Sequence, residues 1–431
     1  MSRLATTLLA AAWAASALAQ GAAGLPGVPA PPQKIEGVTF KEAVRRASIQ
    51  STSAIIAADE IRRSQALLAE VRSSSLPLVA ANASYTQLDA PRGPISSPFI
   101  PQGAMNANVG VQLPLVAPSR WVGWAHASEQ VDVAHANEAD VRRTTVLVAA
   151  RAYLAIVAQK RVIDVSRSAR EIAQARYEFA HARRAGGIGN AVDEFRAQQQ
   201  LATAEAQLTN GEVGLVRAQE ALGVITASEG PLDAVEEPVF EATPVADAVA
   251  SAQALRLDVK AARARAVAAG HVARDSWVEW LPTILASAQA FYDAPPAITT
   301  PRTGWQVQFV LSVPIYEGGL RRGLQHERDA LAEEARVALE GSLIQMRSDV
   351  RLSIEEVRRQ ERALVQARLA ADSARSALDL TVEAYRAGAT NDLDVSTAQQ
   401  QSRDADITAV VAEDGVRQAR LDLVTALGQF P

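Results

Sequence analysis

The chain repeats itself, and the repeat limits its fold more than any other feature. Ser75-Leu76-Pro77-Leu78 returns as Trp280-Leu281-Pro282-Thr283, and Val111-Gln112-Leu113-Pro114-Leu115 as Leu311-Ser312-Val313-Pro314-Ile315. Arg184-Ala185-Gly186 returns as Arg386-Ala387-Gly388, Ala197-Gln198-Gln199-Gln200 as Ala398-Gln399-Gln400-Gln401, and Ala221-Leu222-Gly223 as Ala426-Leu427-Gly428. The order is kept, and each second copy follows the first by about 200 residues. A tandem duplication of this kind must fold as two like halves. Gly223–Val245, with Pro231, Pro238 and Pro244, is the only long linker-like stretch inside the chain. We divide the sequence into a first repeat over 38–223, a linker over 224–245 and a second repeat over 246–431.

Each repeat reads as helix, strand, strand, long helix, turn, helix. Ser119–Arg183 and Leu320–Ala387 contain no proline. An unbroken helix over either would be about 100 Å long at ~1.5 Å per residue, far beyond ordinary globular helices. Such helices need a bundle, coiled coil or tube around them. Composition fits that need. Of the 431 residues 48% are hydrophobic, but only 5% are aromatic and much of the rest is alanine, which suits closely packed helices better than a bulky core.

Charge disappears in four windows: Ser73–Leu88, Gly93–Ser119, Trp280–Tyr292 and Thr303–Tyr316. There the helical period gives way to alternation. Trp305, Val307, Phe309, Leu311, Val313 and Ile315 alternate with Gln306, Gln308, Val310 and Ser312. Ala107, Val109, Val111, Leu113 and Leu115 alternate with Asn106, Asn108, Gly110 and Gln112. Val79, Ala81, Ala83 and Tyr85 alternate with Ala80, Asn82, Ser84 and Thr86. The stretch 281–292 alternates less cleanly. We place strands at about 76–88, 105–116, 281–293 and 304–316. Apolar-out, polar-in strands of about ten residues are what a membrane β-barrel requires. Trp121, Trp124, Trp277, Trp280 and Tyr316 would ring its inner rim, and Tyr85, Phe291, Tyr292 and Trp305 its outer rim. The proline-rich segments Asp89–Gly103 and Asp293–Thr303 fall where outward loops belong.

A sheet in lipid must close on itself, because an unpaired backbone group finds no water there. Four strands cannot close alone. The smallest barrels have eight strands, and a barrel that small is filled by its own side chains. Several copies of the chain must therefore share one barrel, and the polar inward positions Asn82, Gln112, Gln306 and Gln308 favour the wider, water-filled option of three copies.

Residues 1–19 read as an export signal: Arg3, the uncharged run Leu4–Leu18 and the cleavage pattern Ala17-Leu18-Ala19. The chain is then exported, and residues 20–37 form an N-terminal extension. With no cysteine there is no disulfide, thiol nucleophile or cysteine-ligated metal. A net charge of −5 argues against nucleic acid. His126, His135, His181, His271 and His326 form no pair at ligand spacing, and no phosphate loop, dinucleotide fingerprint or nucleophile elbow occurs. We expect no enzyme activity, no metal and no cofactor.

The duplicated plan, the "LP" strand entries and the two Gly-x5-Asp-x3-Ala turns, Gly187…Asp193…Ala197 and Gly388…Asp394…Ala398, resemble the outer-membrane efflux proteins of the TolC family over essentially the whole exported chain. The resemblance implies a mainly α fold with a small membrane β part. Three protomers would build a twelve-stranded barrel in the outer membrane and a long α-helical barrel across the periplasm. It implies an exit duct for drug efflux or type I secretion, with a periplasmic adaptor and an inner-membrane transporter of RND or ABC type as partners. It places the adaptor at a tip made by Arg184, Gly186, Gly187, Arg386 and Gly388, and it places an acidic residue, here Asp394, at the closed entrance. The family's second acid, three residues on, is Thr397 here. Asp392 lies near at another helical phase, and Asp193 is the first-half counterpart of Asp394.

The residues themselves leave a plainer reading open. An Asp at a helix start also suits the positive end of the helix dipole, so Asp394 and Asp193 could simply cap their helices. Likewise, a structural coiled-coil protein of the periplasm or cell surface, without transport, would carry the same long helices. It would not need charge-free windows in four strands.

Overall fold

The computed structural model describes residues 35–91, 102–241, 247–296 and 301–430. The export signal, most of the N-terminal extension and the centres of the two proline-rich loops lie outside the described residues.

Two like halves follow one another. The first holds β1 (Glu36–Val38), α1 (Phe40–Gln50), α2 (Thr52–Ser73), β2 (Leu78–Gln87), β3 (Gly103–Val116), α3 (Pro118–Ala185) and α4 (Ala191–Ile225). After the short β4 (Leu232–Ala234), the second holds α5 (Ala248–Leu255), α6 (Leu257–Arg274), a 3-10 turn at Asp275–Trp280, β5 (Thr283–Ala294), β6 (Thr303–Ser312), α7 (Leu320–Arg386) and α8 (Asp392–Ala426). The long helices α3 and α7 run for 68 and 67 residues. Pro118 opens α3 at a position that needs no amide donor. Beyond it neither helix contains a proline to break it.

Each long helix turns back into a shorter one, α3 into α4 and α7 into α8. The turns are built alike. Gly187 has φ +78° and Gly388 φ +77°. The amide of Ile188 bonds back to Arg183 O, and that of Ala389 to Ala384 O, with Gly187 and Gly388 bonding to Arg184 O and Tyr385 O. This is the left-handed helix stop that glycine adopts without strain. Gly187, rather than Gly186, is thus the counterpart of Gly388. The far ends match too: α4 stops at Ala227 (φ 52°) and α8 at Gly428 (φ +71°) by the same bonding. The Leu-Gly likeness of Gly223 to Gly428 is therefore out of register. Gly223 lies inside α4, where a Cβ would meet Gly230 O at 2.6 Å. A truer mark of the repeat is a close approach inside each hairpin. The side chain of Gln159 covers Gly214, and that of Gln360 covers Gly415.

The helices stand side by side as a strip. Toward the strands its order is α2, α3, α6, α7, and toward the turns α4, α3, α8, α7. Its core is thickest midway, where Tyr153 is fully buried with Ile156, Leu222 and Leu232. The Tyr153 hydroxyl accepts from the amide of Glu236 at 3.1 Å and lies 3.2 Å from Val38 O. Here β1 pairs in parallel with β4, so part of the expected linker is ordered into the core. Arg161 binds both Glu237 and Glu413 and fastens that linker across α3 and α8.

Candidate channel wall and tip

The four long strands form one antiparallel sheet in the order β2-β3-β5-β6. The register joins the alternation of each strand into two faces. Val79 lies opposite Val111, Ala81 opposite Val109 and Ala83 opposite Ala107. Those rows continue through Ala288, Ala290 and Tyr292 of β5, and onward to Val307, Trp305 and Thr303 of β6. One face is thus almost wholly apolar. The other carries Asn82, Asn108, Gln112, Ser287, Gln289, Gln306 and Gln308. The weak alternation of β5 is explained by alanines on its apolar side and Phe291 on its polar side. Phe291 corrects our expectation of an outer-rim residue: it pairs with Asn108 and Gly304 on the polar face. Its ring occupies the space of a Gly304 side chain, 2.6 Å from where a Cβ would stand.

The fourth strand stops at Ser312, short of the expected 316. Ser312 already faces Thr283, the first residue of β5, so Val313–Tyr316 have no strand partner beyond it among the described residues. Pro114, the counterpart of Pro314, is kept within β3 at a register shift.

The aromatic residues gather at the two ends of the sheet. Tyr85, Tyr292 and Trp305 lie on the apolar face at the loop end. Arg302 donates to the Tyr292 hydroxyl at 2.6 Å. At the helix end, Trp121 and Trp124 begin α3, Trp277 and Trp280 ride the 3-10 turn, and Tyr316 precedes α7. Arg72 lies 4.1 Å over the Trp124 ring and Arg321 5.5 Å over the Trp280 ring. These contacts hold a cation against an aromatic face at the level where apolar surface gives way to charge.

At the opposite end the two helical turns lie together. Asp394 is exposed and completes a capping box: its amide donates to the Asn391 side chain at 3.0 Å, and its carboxylate accepts from Asn391 N and from the Thr390 hydroxyl. Thr397 is exposed, with its hydroxyl donated to Leu393 O. Asp193 is half-buried in the first turn of α4, whose cap is Asn190. Asp392 differs from all three. Only 7% exposed, it binds Arg176 of α3 at 2.5 Å. Arg176 also donates to Gln200 of α4 at 3.0 Å and Gln399 of α8 at 3.2 Å, so one guanidinium clamps three helices. Arg183 adds a second tie to the Tyr385 hydroxyl at 3.1 Å. No sequence pattern announces either contact, because the partners lie in different repeats.

Among the expected tip residues, Arg184 is bound to Glu194, which also takes His181 at 2.7 Å. These bonds hold the Glu194 carboxyl below its ordinary range. The stability they lend is present above that range and fades as pH falls through the lowered value. Arg386 is exposed and forms no ion pair among the described residues. Gly388 carries its turn alone. Gly388→Ala should cost about 1 kcal/mol through the left-handed backbone and speed hydrogen exchange of the Ala389 amide roughly fivefold. Unchanged exchange there would show that the turn is not under this constraint.

Among the described residues no group of three or more His, Asp or Glu could hold a metal, and no helix is long and apolar enough to cross a membrane. The surface with chemical character is the two-faced sheet and the tip. No curated protein matches the sequence. Solved structures match the fold. The outer membrane protein VceC of Vibrio cholerae has 19% identity and a TM-score of 0.76, over 90% of this chain and 96% of that one. A membrane protein of Pseudomonas aeruginosa has 20% identity and a TM-score of 0.80, over 94% and 96%. The open-state outer membrane channel MtrE of Neisseria gonorrhoeae has 18% identity and a TM-score of 0.75, over 90% and 88%. The family model described as outer membrane efflux protein matches twice, over residues 46–228 and 248–429, once in each repeat. By that double match, with the fold to support it, the chain belongs to the outer membrane efflux protein family.

Proposed function

We propose that this protein is a passive exit duct of the outer membrane, made of three copies that dock through their tips to a periplasmic adaptor and an inner-membrane transporter. The observation that carries the reading is the sheet. It has one apolar face, one polar face and, among the described residues, two free edges, β2 and β6. Along the sheet the strands alternate in direction, so β6 of one copy meets β2 of the next antiparallel, and a ring closes without a break in the pattern. Two copies would give a barrel of about eight strands with a filled interior, and three a barrel of about twelve around water. Asparagine and glutamine on the inner face favour water. The solved structures of the same fold that are described as outer membrane channels support the reading.

In this duct the transporter supplies the energy and the specificity. The tip supplies the joint. Arg386, without an ion pair among the described residues, and the two glycine turns face the adaptor. Asp394, exposed at the α8 start, contributes a single ring of carboxylates at the entrance, with Thr397 leaving the next position uncharged. Three such carboxylates would repel each other and draw cations. Asp394→Ala should therefore reduce cation preference, read as a shift in reversal potential across a salt gradient in planar bilayers. Unchanged selectivity would leave Asp394 as a helix cap only.

The reading as a whole is tested by mass and insertion. A detergent-requiring trimer that forms conducting pores in liposomes supports it. A rod extracted by urea without detergent would mark a structural coiled-coil protein instead.

A further inference from the structure

Just on the membrane side of the tip clamp, α4 and α8 flank α3 and leave a recess of about 390 Å³ between them. Its floor is alanine: Ala169 and Ala173 of α3 and Ala204 of α4. Its walls are amide: Gln199, Gln200 and Gln207 on α4, with Gln399 and Gln400 on α8. Arg176 closes its lower end, donating to Gln200 at 3.0 Å and to Gln399 at 3.2 Å.

The recess lies on one definite side of the strip. Tyr153 of α3 is turned toward the layer made by β1, β4 and α1. Ala169 and Ala173 stand about 160° and 200° round the same helix from Tyr153, at ~100° per residue, so they face the opposite way. The sides agree on α4. Its seam against α3 runs through Ala197, Ala204 and Gly211, all buried. Gln219, which donates to Asp233 of β4 at 2.9 Å, lies on one flank of that seam, and Gln200 and Gln207 lie on the other. A ring closed from this strip could hold β1, β4 and α1 inside only by filling its bore. Those elements therefore stand outside, and the recess opens into the lumen.

The chemistry of the recess is neutral and donor-rich. Arg403, the one charge on its wall, is held by Asp404 at 3.0 Å, and Arg176 is held by Asp392. Arg176 occupies the side-chain oxygens of Gln200 and Gln399 and so leaves their NH2 groups to donate elsewhere. Among the described residues none of the five glutamines donates a side-chain hydrogen bond. Each amide offers two donors and an acceptor oxygen. A charged solute would find no free counter-ion here, and a peptide's large apolar side chains would find no pocket deeper than alanine. A sugar fits both features. Its hydroxyls accept and donate around the edge of each ring, and the C–H faces of the rings can lie on the alanine floor.

We propose that this recess is a saccharide subsite on the inner wall of the duct. The proposal rests on the duct reading above. Three copies set three such subsites at one height, just beyond the Asp394 carboxylates, and they add a local preference for neutral sugar chains to the specificity of the transporter.

The test is current block by the full chain in planar bilayers. Maltohexaose should interrupt the ionic current, and polyethylene glycol of equal size should not. Gln199→Ala with Gln207→Ala and Gln400→Ala spares the two glutamines bound to Arg176. It should raise the half-blocking concentration of maltohexaose about tenfold, on the order of what a few lost hydrogen bonds supply, with the open-pore conductance unchanged. Equal block by the glycol, equal block of the variant, or block by a serine-glycine peptide where the sugar has no effect overturns the subsite and leaves the conducting duct standing. A chain that forms no conducting pore overturns both.

Discussion

A Val109→Arg variant is expected to fail to reach the folded membrane form, while Asn108→Arg, one residue earlier on the same strand, reaches it. Val109 sits near the middle of β3, between Ala81 on one side and Ala290 on the other, on the apolar face. An arginine there would be held in hydrocarbon with no acid near it, since no charged residue occurs from Gly93 to Ser119 or in the facing strands at that height. At the bilayer midplane this costs about 2–4 kcal/mol per copy, and a closed ring repeats the cost in every copy. Asn108 faces Asn82 and Phe291 across the polar side, where its neighbour's side chain already bonds to it at 3.2 Å. An arginine at that position meets water. The measurement is the fraction that folds into liposomes and resists SDS until heated. If both variants fold equally well, the apolar face does not meet lipid, and the barrel is lost as an explanation.

The same contrast shows why so much of this fold is legible in the amino-acid sequence. Lipid imposes a strict rule on each residue of a strand, so Trp305 to Ser312 reveals itself by alternation alone. Only β5 is blurred, because Phe291 needs Gly304 across the ladder to fit on the polar side, and that is a fact about two strands rather than one. The long helices are legible because a single proline would have ended them, and the turns because Gly187 and Gly388 recur at one spacing. Short matches mislead where they stand on common residues. Leu222-Gly223 resembles Leu427-Gly428, yet the helix stop that Gly428 makes is made by Ala227 in the first repeat. The three-residue strands β1 and β4 have no period to detect. The tip clamp is hidden most deeply: Arg176 and Asp392 are 216 residues apart, and each looks locally like a solvated charge on a polar helix.

That clamp carries the second large expectation: Asp392→Ala should raise single-channel conductance and let larger solutes through. Arg176 is 12% exposed at its side chain and Asp392 7%, so neither ion is free to exchange its partner for water. Removing one partner from a buried pair costs about 3–5 kcal/mol, because the other is left charged and uncompensated. Arg176 can escape that cost only if the start of α8 moves away from α3 and α4 and admits water to the guanidinium. The movement is directed, since the clamp ties one hairpin tip to the other. The ties that remain, Arg176 to Gln399 and to the backbone carbonyl of residue 392, and Arg183 to the Tyr385 hydroxyl, all end on neutral groups and are worth about 1 kcal/mol each, so none of them compensates the buried guanidinium charge as the carboxylate does. Tyr385→Phe should accordingly have a much smaller effect than Asp392→Ala. A paired replacement separates loss of the clamp from loss of charge. Arg176→Met with Asp392→Leu removes both ions and keeps apolar volume between the helices, which for buried pairs is often neutral. It should return the conductance toward the unmodified value. Helical circular dichroism should stay unchanged in all three variants, because the clamp lies near one end of helices whose packing runs along their length. A conductance in Asp392→Ala equal to that of the unmodified protein would show that the tips are kept together by the seam between copies rather than by this pair.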